Sequence, residues 1–194
     1  GTRRVRRAPV VGYDSPSGPG GLITVDETRM FNGALDRYDW KLIGKKEMYI
    51  PYNNYDLDDP KHKYSDILTK NHINPDVMRY ELHRVWEVEA TLKGSARHIY
   101  AKRKFYLDED TWFIQLTDNF DSRGQLWKSN MQTIVFNPHL PGPYARVWIY
   151  NDLISGTYAV EKLINEQEKA EDVQFGVMPL DLFTPAGIRM LTRQ

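Results

Sequence analysis

Hydrophobic and polar residues alternate along the segment from Tyr80 to Leu92. The even-numbered positions are apolar apart from Arg84, and the odd-numbered positions include His83 and three glutamates. A period of two places successive side chains on opposite faces of an extended strand. The pattern therefore predicts one long β-strand with a dry face.

Five further strands are predicted after this one, because turn-forming segments separate several more apolar runs. The predicted strands lie at residues 98–107, 111–118, 125–136, 144–150 and 157–163. Six consecutive strands with short connections predict an antiparallel meander. Long strands accumulate twist, so we expect a mostly β fold whose sheet is curved or forms a half-barrel, with only short helices.

The first 74 residues lack this alternation and are predicted to be irregular and rich in loops. One or two short strands are expected there, among them Glu47–Ile50. Thr24 and Glu27 have the spacing of a capping box, and Ser65 is a second candidate helix cap.

The whole chain, 1–194, is expected to be a single domain or the C-terminal half of a larger fold. Its predicted parts are the irregular region 1–74, the meander 75–165, and a linker with a closing helix at 166–194. Thr184 and Pro185 are suited to the cap and first position of that helix, which is predicted to end at Arg193.

Charge and composition exclude several functional classes. Lys and Arg together number 26, as do Asp and Glu, so no net charge favours a nucleic-acid partner. The chain has no cysteine, and its five histidines show no metal-binding spacing. No motif of a hydrolase or nucleotide-binding enzyme is present. We therefore expect no catalysis, no cofactor and no metal site.

The sequence contains no recognisable targeting or membrane-spanning segment. No apolar run approaches the roughly 18 residues of a membrane-spanning helix, and no signal peptide is visible. The chain is interpreted as a processed or truncated product.

Several spaced motifs cover most of the chain. They are RRVRRAP at 3–9, NGA at 32–34, YDWKL at 38–42, GKKEMYIPYN at 44–53, RHIYAKR at 97–103, FYLDED at 105–110 and DSRGQLW at 121–127. Together they resemble a family of uncharacterised Gram-negative periplasmic proteins described as outer-membrane lipoprotein-sorting-like.

This resemblance implies a fold similar to the lipoprotein carriers LolA and LolB, in which a curved sheet and helices shelter an acyl chain. It implies that this chain is the C-terminal portion of a longer protein at the periplasmic face of the outer membrane. The implied partners are a lipid or other hydrophobic cargo, a resistance-nodulation-division type transporter and an outer-membrane protein. It supplies no catalytic residue.

Apolar residues of the predicted strands are candidates for a wall that holds a hydrophobic ligand, with an ordinary core as the alternative. The candidate residues are Trp86, Val88, Leu92, Ile99, Phe105, Trp112, Ile114, Trp127 and Trp148. An anionic headgroup has a candidate site in Arg3, Arg4, Arg6 and Arg7, although these arginines could instead pair with sheet carboxylates.

Two functions follow from these observations. The first is binding or transport of a lipid or similar molecule in the periplasm. The alternative is a scaffold or adaptor that docks onto a transporter or outer-membrane protein without holding a ligand. An apolar cavity of some hundreds of cubic ångströms would favour the carrier, and a flat aromatic patch would favour the adaptor.

Overall fold

A seven-stranded antiparallel sheet dominates the computed structural model, which describes residues 11–168 and 179–191. Two short strands, β1 (Pro16–Ser17) and β2 (Ile23–Thr24), pair with each other ahead of it. The sheet consists of β3 (Tyr38–Pro51), β4 (Tyr80–Leu92), β5 (Lys102–Asp108), β6 (Ile114–Phe120), β7 (Leu126–Asn137), β8 (Gly142–Asp152) and β9 (Thr157–Glu161). Its strand order follows the chain, so the predicted mostly β meander is confirmed.

Strand β3 is 14 residues long, whereas the sequence predicts only Glu47–Ile50. It forms one edge of the sheet, and only Tyr38, Ile50 and Pro51 in it are buried. An edge strand exposed on both faces has little hydrophobic alternation, which explains why its first half escapes detection. A β-bulge at Gly44 further interrupts the period of two.

Strands β5 and β6 begin later than predicted, at Lys102 and Ile114. The connection between them is a turn in which the Asp108 carboxylate accepts hydrogen bonds from the backbone and hydroxyl of Thr111. Trp112 follows with a left-handed backbone at φ 60°, which is incompatible with regular strand geometry.

The short helices agree in part with the prediction. The capping box of Thr24 and Glu27 is present, but it begins only a single 3-10 turn, Val25–Glu27. Helix α1 (Tyr64–Ile67) is capped by Lys63 and not by Ser65, because the carboxylate that accepts the Lys63 backbone N–H belongs to Asp66.

The closing helix α2 (Pro185–Leu191) is present, and the Thr184 hydroxyl accepts a hydrogen bond from the backbone of Gly187. The predicted end at Arg193 lies outside the described residues. In the described part of the chain, no helix has the length and apolar character needed to cross a membrane.

Separate chain segments cover the two faces of the sheet. Residues 22–31 pack on the face that carries Phe105 and Tyr150, which we call face A. Residues 54–79 pack on the opposite face B, against Val147 and Ile149. The sheet is thus buried on both sides over much of its width, and the remaining uncovered part of face A holds the site described next.

Candidate functional site

A cleft of about 480 Å³ opens on face A beside the covering segment 22–31. This volume lies within the usual range of ligand pockets, roughly 300–1,000 Å³. Its lining is mostly aromatic and aliphatic, and consists of Arg29, Trp112, Phe113, Ile114, Gln132, Pro143, Tyr144, Ala145, Trp148 and Lys162. Most of these residues come from β6, β7, β8 and the turn before β6, whereas Arg29 belongs to the covering segment and Lys162 directly follows β9. The paired strands hold the floor of the cleft rigidly.

Trp148 forms the floor of the cleft. It lies on β8 opposite Gln132 of β7, and its indole Nε1 donates a hydrogen bond of 2.9 Å to the Gln132 side chain. Ile23 and Met30 of the covering segment pack against the same indole. The ring is therefore fixed in orientation by a polar bond on its edge and by apolar contacts.

Trp112 forms an exposed wall of the cleft, with 64% of its surface accessible. Its ring stacks on Trp86 with centroids 6.4 Å apart and planes 20° apart. The ammonium of Lys45 lies 4.4 Å from the centre of the Trp86 ring. The apolar lining thus continues along face A onto β4.

Strained backbone is concentrated at the cleft. Among the described residues other than glycine, six have positive φ, and three of these line the cleft: Arg29 (54°), Trp112 (60°) and Lys162 (71°). A fourth, Met30, is adjacent to Arg29. Such conformations cost free energy and tend to occur at binding and active sites. The clustering makes this cleft a candidate functional site on grounds other than its volume.

The lining of the cleft also carries charged side chains. Its described lining contains two cationic side chains, Arg29 and Lys162, and no carboxylate. The guanidinium of Arg29 lies 5.8 Å from the centre of the Trp148 ring, so charge and apolar surface adjoin. The arrangement suits a molecule with an apolar body and an anionic end.

The structure gathers four of the sequence-predicted wall residues at this place and disperses the others. Trp112, Ile114 and Trp148 line the cleft, and Trp86 stacks beside it. The remaining candidates lie elsewhere. Val88, Leu92 and Phe105 pack in a core cluster with Tyr38 and Phe31. Ile99 lies in the connection before β5, and Trp127 packs on Tyr100.

The headgroup candidates Arg3, Arg4, Arg6 and Arg7 lie outside the described residues. The cations that the structure does place at the cleft, Arg29 and Lys162, were missed by sequence reasoning. Arg29 is in an irregular segment, and Lys162 is near the end of the strand predicted at 157–163. In neither place does a periodic pattern distinguish a basic residue from an ordinary surface residue.

A buried polar network fastens the covering segment to face A. The Asp26 carboxylate accepts a hydrogen bond from Arg103 Nη1 over 2.9 Å and lies 3.1 Å from His98 Nε2. Burial alone would raise the pKa of Asp26, but the His98 hydrogen bond and the Arg103 charge hold that pKa below its usual value. The carboxylate is therefore a buried anion at neutral pH.

Glu27 is the second carboxyl group of this network. Its two oxygens accept hydrogen bonds from the Tyr100 hydroxyl and from the side-chain amides of Asn119 and Asn130, all within 3.1 Å. Burial, together with the charge of Glu27, raises the pKa of Tyr100. Tyr100 lies in the connection before β5, and Asn119 and Asn130 lie on β6 and β7. Because Glu27 is bonded to all three, the network fixes the position of residues 22–31 and hence of Arg29.

The burial of this network suits it to anchoring the covering segment and not to contacting a substrate. The side chains of Asp26, His98 and Arg103 are at most 1% exposed, so no substrate reaches them. His98 is engaged at both ring nitrogens, since its Nδ1 accepts the backbone N–H of Tyr100. Sequence reasoning missed the network because its members are up to 103 positions apart.

Comparison with known proteins identifies relatives of this chain. An uncharacterised protein of Pseudomonas aeruginosa is 52% identical over 190 residues, which are 97% of this chain and 42% of that protein. A DUF1329 family protein from Desulfovibrio piger, known from a crystal structure, has 12% identity and a TM-score of 0.48 over 78% of this chain and 49% of its own. A Vibrio parahaemolyticus domain, provisionally described as an outer membrane lipoprotein-sorting protein, has 9% identity and a TM-score of 0.46 over 76% and 48%.

The chain thus spans less than half the length of the curated relative that it matches. The model of the DUF1329 family, described as proteins of unknown function, matches residues 1–189. The family resemblance predicted from the spaced motifs is confirmed, and this chain belongs to the DUF1329 family.

Proposed function

We propose that this chain is a non-catalytic binding module that holds a hydrophobic molecule with an anionic end, such as a lipid, in the cleft on face A. The observation that carries the proposal is the coincidence in one cleft of a fixed aromatic floor, two cations and three strained backbone positions. In this arrangement the apolar part of the ligand lies against Trp112, Ile114 and Trp148.

The energetics favour an elongated apolar ligand. Each methylene group that leaves water contributes about 0.8 kcal/mol. The apolar lining continues from the cleft to the half-buried Trp86, so a chain longer than the cleft itself gains further contact along face A. The carboxylate or phosphate of such a ligand lies beside Arg29 and Lys162.

The cellular role that fits such binding is transport of a hydrophobic cargo through the periplasm of a Gram-negative bacterium. In this role the chain supplies one wall of a carrier that acts with a resistance-nodulation-division type transporter and an outer-membrane protein. The support for this wider role is the resemblance of the spaced motifs, together with a cleft of suitable chemistry.

A second candidate function is docking onto an envelope partner without a ligand. Its support is the exposed apolar surface of the β3–β4 edge, where Leu42, Tyr49 and Leu82 are 61%, 66% and 55% exposed. Exposed apolar groups at a sheet edge are typical of protein contacts. The cleft favours ligand binding because a flat contact needs neither a concave floor nor strained lining residues.

Displacement of a fluorescent fatty-acid probe tests the proposal. The wild-type chain is expected to bind the probe, and Trp112→Ala to weaken binding about tenfold, as expected for the loss of one central aromatic contact. Tyr49→Ala removes an equally exposed aromatic ring away from the cleft and should leave the affinity unchanged. No binding by the wild type, or equal losses in the two variants, would contradict the proposal.

A further inference from the structure

Three ligand-type side chains converge where β4 and β5 meet. His83 lies on β4 two positions before Val85, which pairs with Asp108 at the end of β5, and Asp110 follows in the next turn. One ligand atom from each of His83, Asp108 and Asp110 lies within 4.8 Å of the other two. The sequence shows no metal-binding spacing because strand pairing, and not local spacing, joins these residues.

One oxygen of this group has no hydrogen-bond partner. The Asp108 side chain is fully buried, and its Oδ2 accepts two hydrogen bonds from Thr111. Among the described residues, Oδ1 accepts none. Leaving a buried carboxylate oxygen without a hydrogen-bond partner costs free energy, and a bound cation would remove that cost.

The spacing of the two inner atoms suits coordination of one ion. Asp108 Oδ1 and His83 Nδ1 are 3.3 Å apart without forming a hydrogen bond. Two tetrahedral ligands each about 2.1 Å from a zinc ion would be about 3.4 Å apart. Asp110 is exposed, and one of its carboxylate oxygens already lies within 4.8 Å of both atoms.

The surroundings of His83 resemble the outer shell of a metal site. Its second nitrogen, Nε2, lies 3.5 Å from Glu81 Oε2. The side chains of Asn53 and Arg79 donate hydrogen bonds of 2.9 and 2.8 Å to Glu81 Oε1. The ring of Tyr52 stacks on the His83 imidazole with the ring centroids 4.2 Å apart. A carboxylate on the far nitrogen and a fixed ring plane orient a histidine toward its metal.

We propose that His83, Asp108 and Asp110 bind one divalent transition-metal ion of the zinc type. One imidazole and two carboxylates are ligands that Zn²⁺ accepts, with water completing the coordination. Ca²⁺ requires six to eight oxygen ligands and is expected to bind far more weakly. This site lies apart from the cleft residues, so it stands whether or not the cleft binds a lipid.

Titration calorimetry with ZnCl₂ alone tests the proposal on the full 194-residue chain. We expect one equivalent of Zn²⁺ per chain at this site and a rise in Tm when the ion is added. His83→Gln and Asp110→Asn should each weaken binding more than about tenfold and remove the rise in Tm. Because Asp110 is exposed, its substitution decides the question even if His83→Gln fails to fold.

His62→Gln is the matched control. His62 also lies beside a carboxylate, 3.2 Å from Asp56, but the ammonium of Lys61 already occupies that cluster. Its substitution should leave zinc binding unchanged. The proposal is overturned if the chain binds no Zn²⁺, if Ca²⁺ binds as tightly, or if Asp110→Asn binds like the wild type.

Discussion

Arg103 Nη1 donates a hydrogen bond of 2.9 Å to Asp26 Oδ2, and both side chains are at most 1% exposed. The bond joins β5 to the segment that covers face A, across 77 positions of sequence. Each ion has lost its hydration, so removing one leaves the other buried without full compensation. The pair therefore controls whether residues 22–31 stay in place beside the cleft.

Asp26→Asn is expected to lower the free energy of unfolding by about 3 kcal/mol, the typical cost of breaking a buried ion pair. Glu89→Gln is its control, since Glu89 pairs with Lys102 at 3.8 Å on a partly exposed strand face and should cost less than about 1 kcal/mol. Urea unfolding measures both values. Equal costs in the two variants would show that the buried pair does not hold the covering segment.

Acid should release the same pair. The pKa of Asp26 is lowered in the folded protein, so its contribution to stability is complete above about pH 4 and is lost as pH falls through the folded value. The wild type should thus lose stability steeply below pH 4. Asp26→Asn should lose less over the same interval, as measured by urea midpoints at pH 5 and pH 3. Parallel losses would assign the acid sensitivity to other carboxylates.

Gly44 is required by the bulge in β3. Its φ is 147°, which side chains rarely adopt, although a Cβ there would meet no atom within 4 Å. Gly44→Ala should therefore cost about 1–3 kcal/mol through backbone strain alone. Gly94 has the same open space without positive φ, so Gly94→Ala should be neutral or slightly stabilising. Thermal unfolding compares the two, and a neutral Gly44→Ala would contradict this account of the bulge.

Arg29 should distinguish anionic ligands from neutral ones. Arg29→Glu places a negative charge beside Trp148, so the affinity for a fatty acid should fall about tenfold while that for the matching alcohol stays the same. Arg123→Glu makes the same change in net charge at the exposed β6–β7 turn and should alter neither affinity. A similar loss for the acid and the alcohol would mean that Arg29 acts through packing and not through charge.

Period-two alternation in Tyr80–Leu92 and the turns after it sufficed to predict the meander, because each strand there has a buried face. The same criterion missed most of β3, whose side chains are largely exposed. It also extended β6 to Thr111, since nothing in the composition of that segment indicates the left-handed Trp112. Hydrophobic alternation therefore predicts which strand faces are buried, but it does not predict where the backbone adopts a strained conformation.

The candidate site was predictable only where it is apolar. Ile114 and Trp148 follow from alternation along their strands, and Trp112 was included because the predicted strand began too early, at Thr111. Alternation could not distinguish these residues from Phe105, which is packed in the core. Arg29 comes to the cleft through the buried anchor of Asp26. That anchor depends on contacts between distant positions, which a single sequence does not reveal.

Photo-crosslinking tests the central claim, ligand binding in the cleft, most directly. A fatty acid with a diazirine near the end of its chain, bound to the 194-residue chain and irradiated, should label peptides that contain Trp112–Ile114 and Ala145–Trp148. Excess unlabelled fatty acid should suppress this labelling. Labelling confined to residues 54–79 on face B, or none that excess ligand suppresses, would contradict the account.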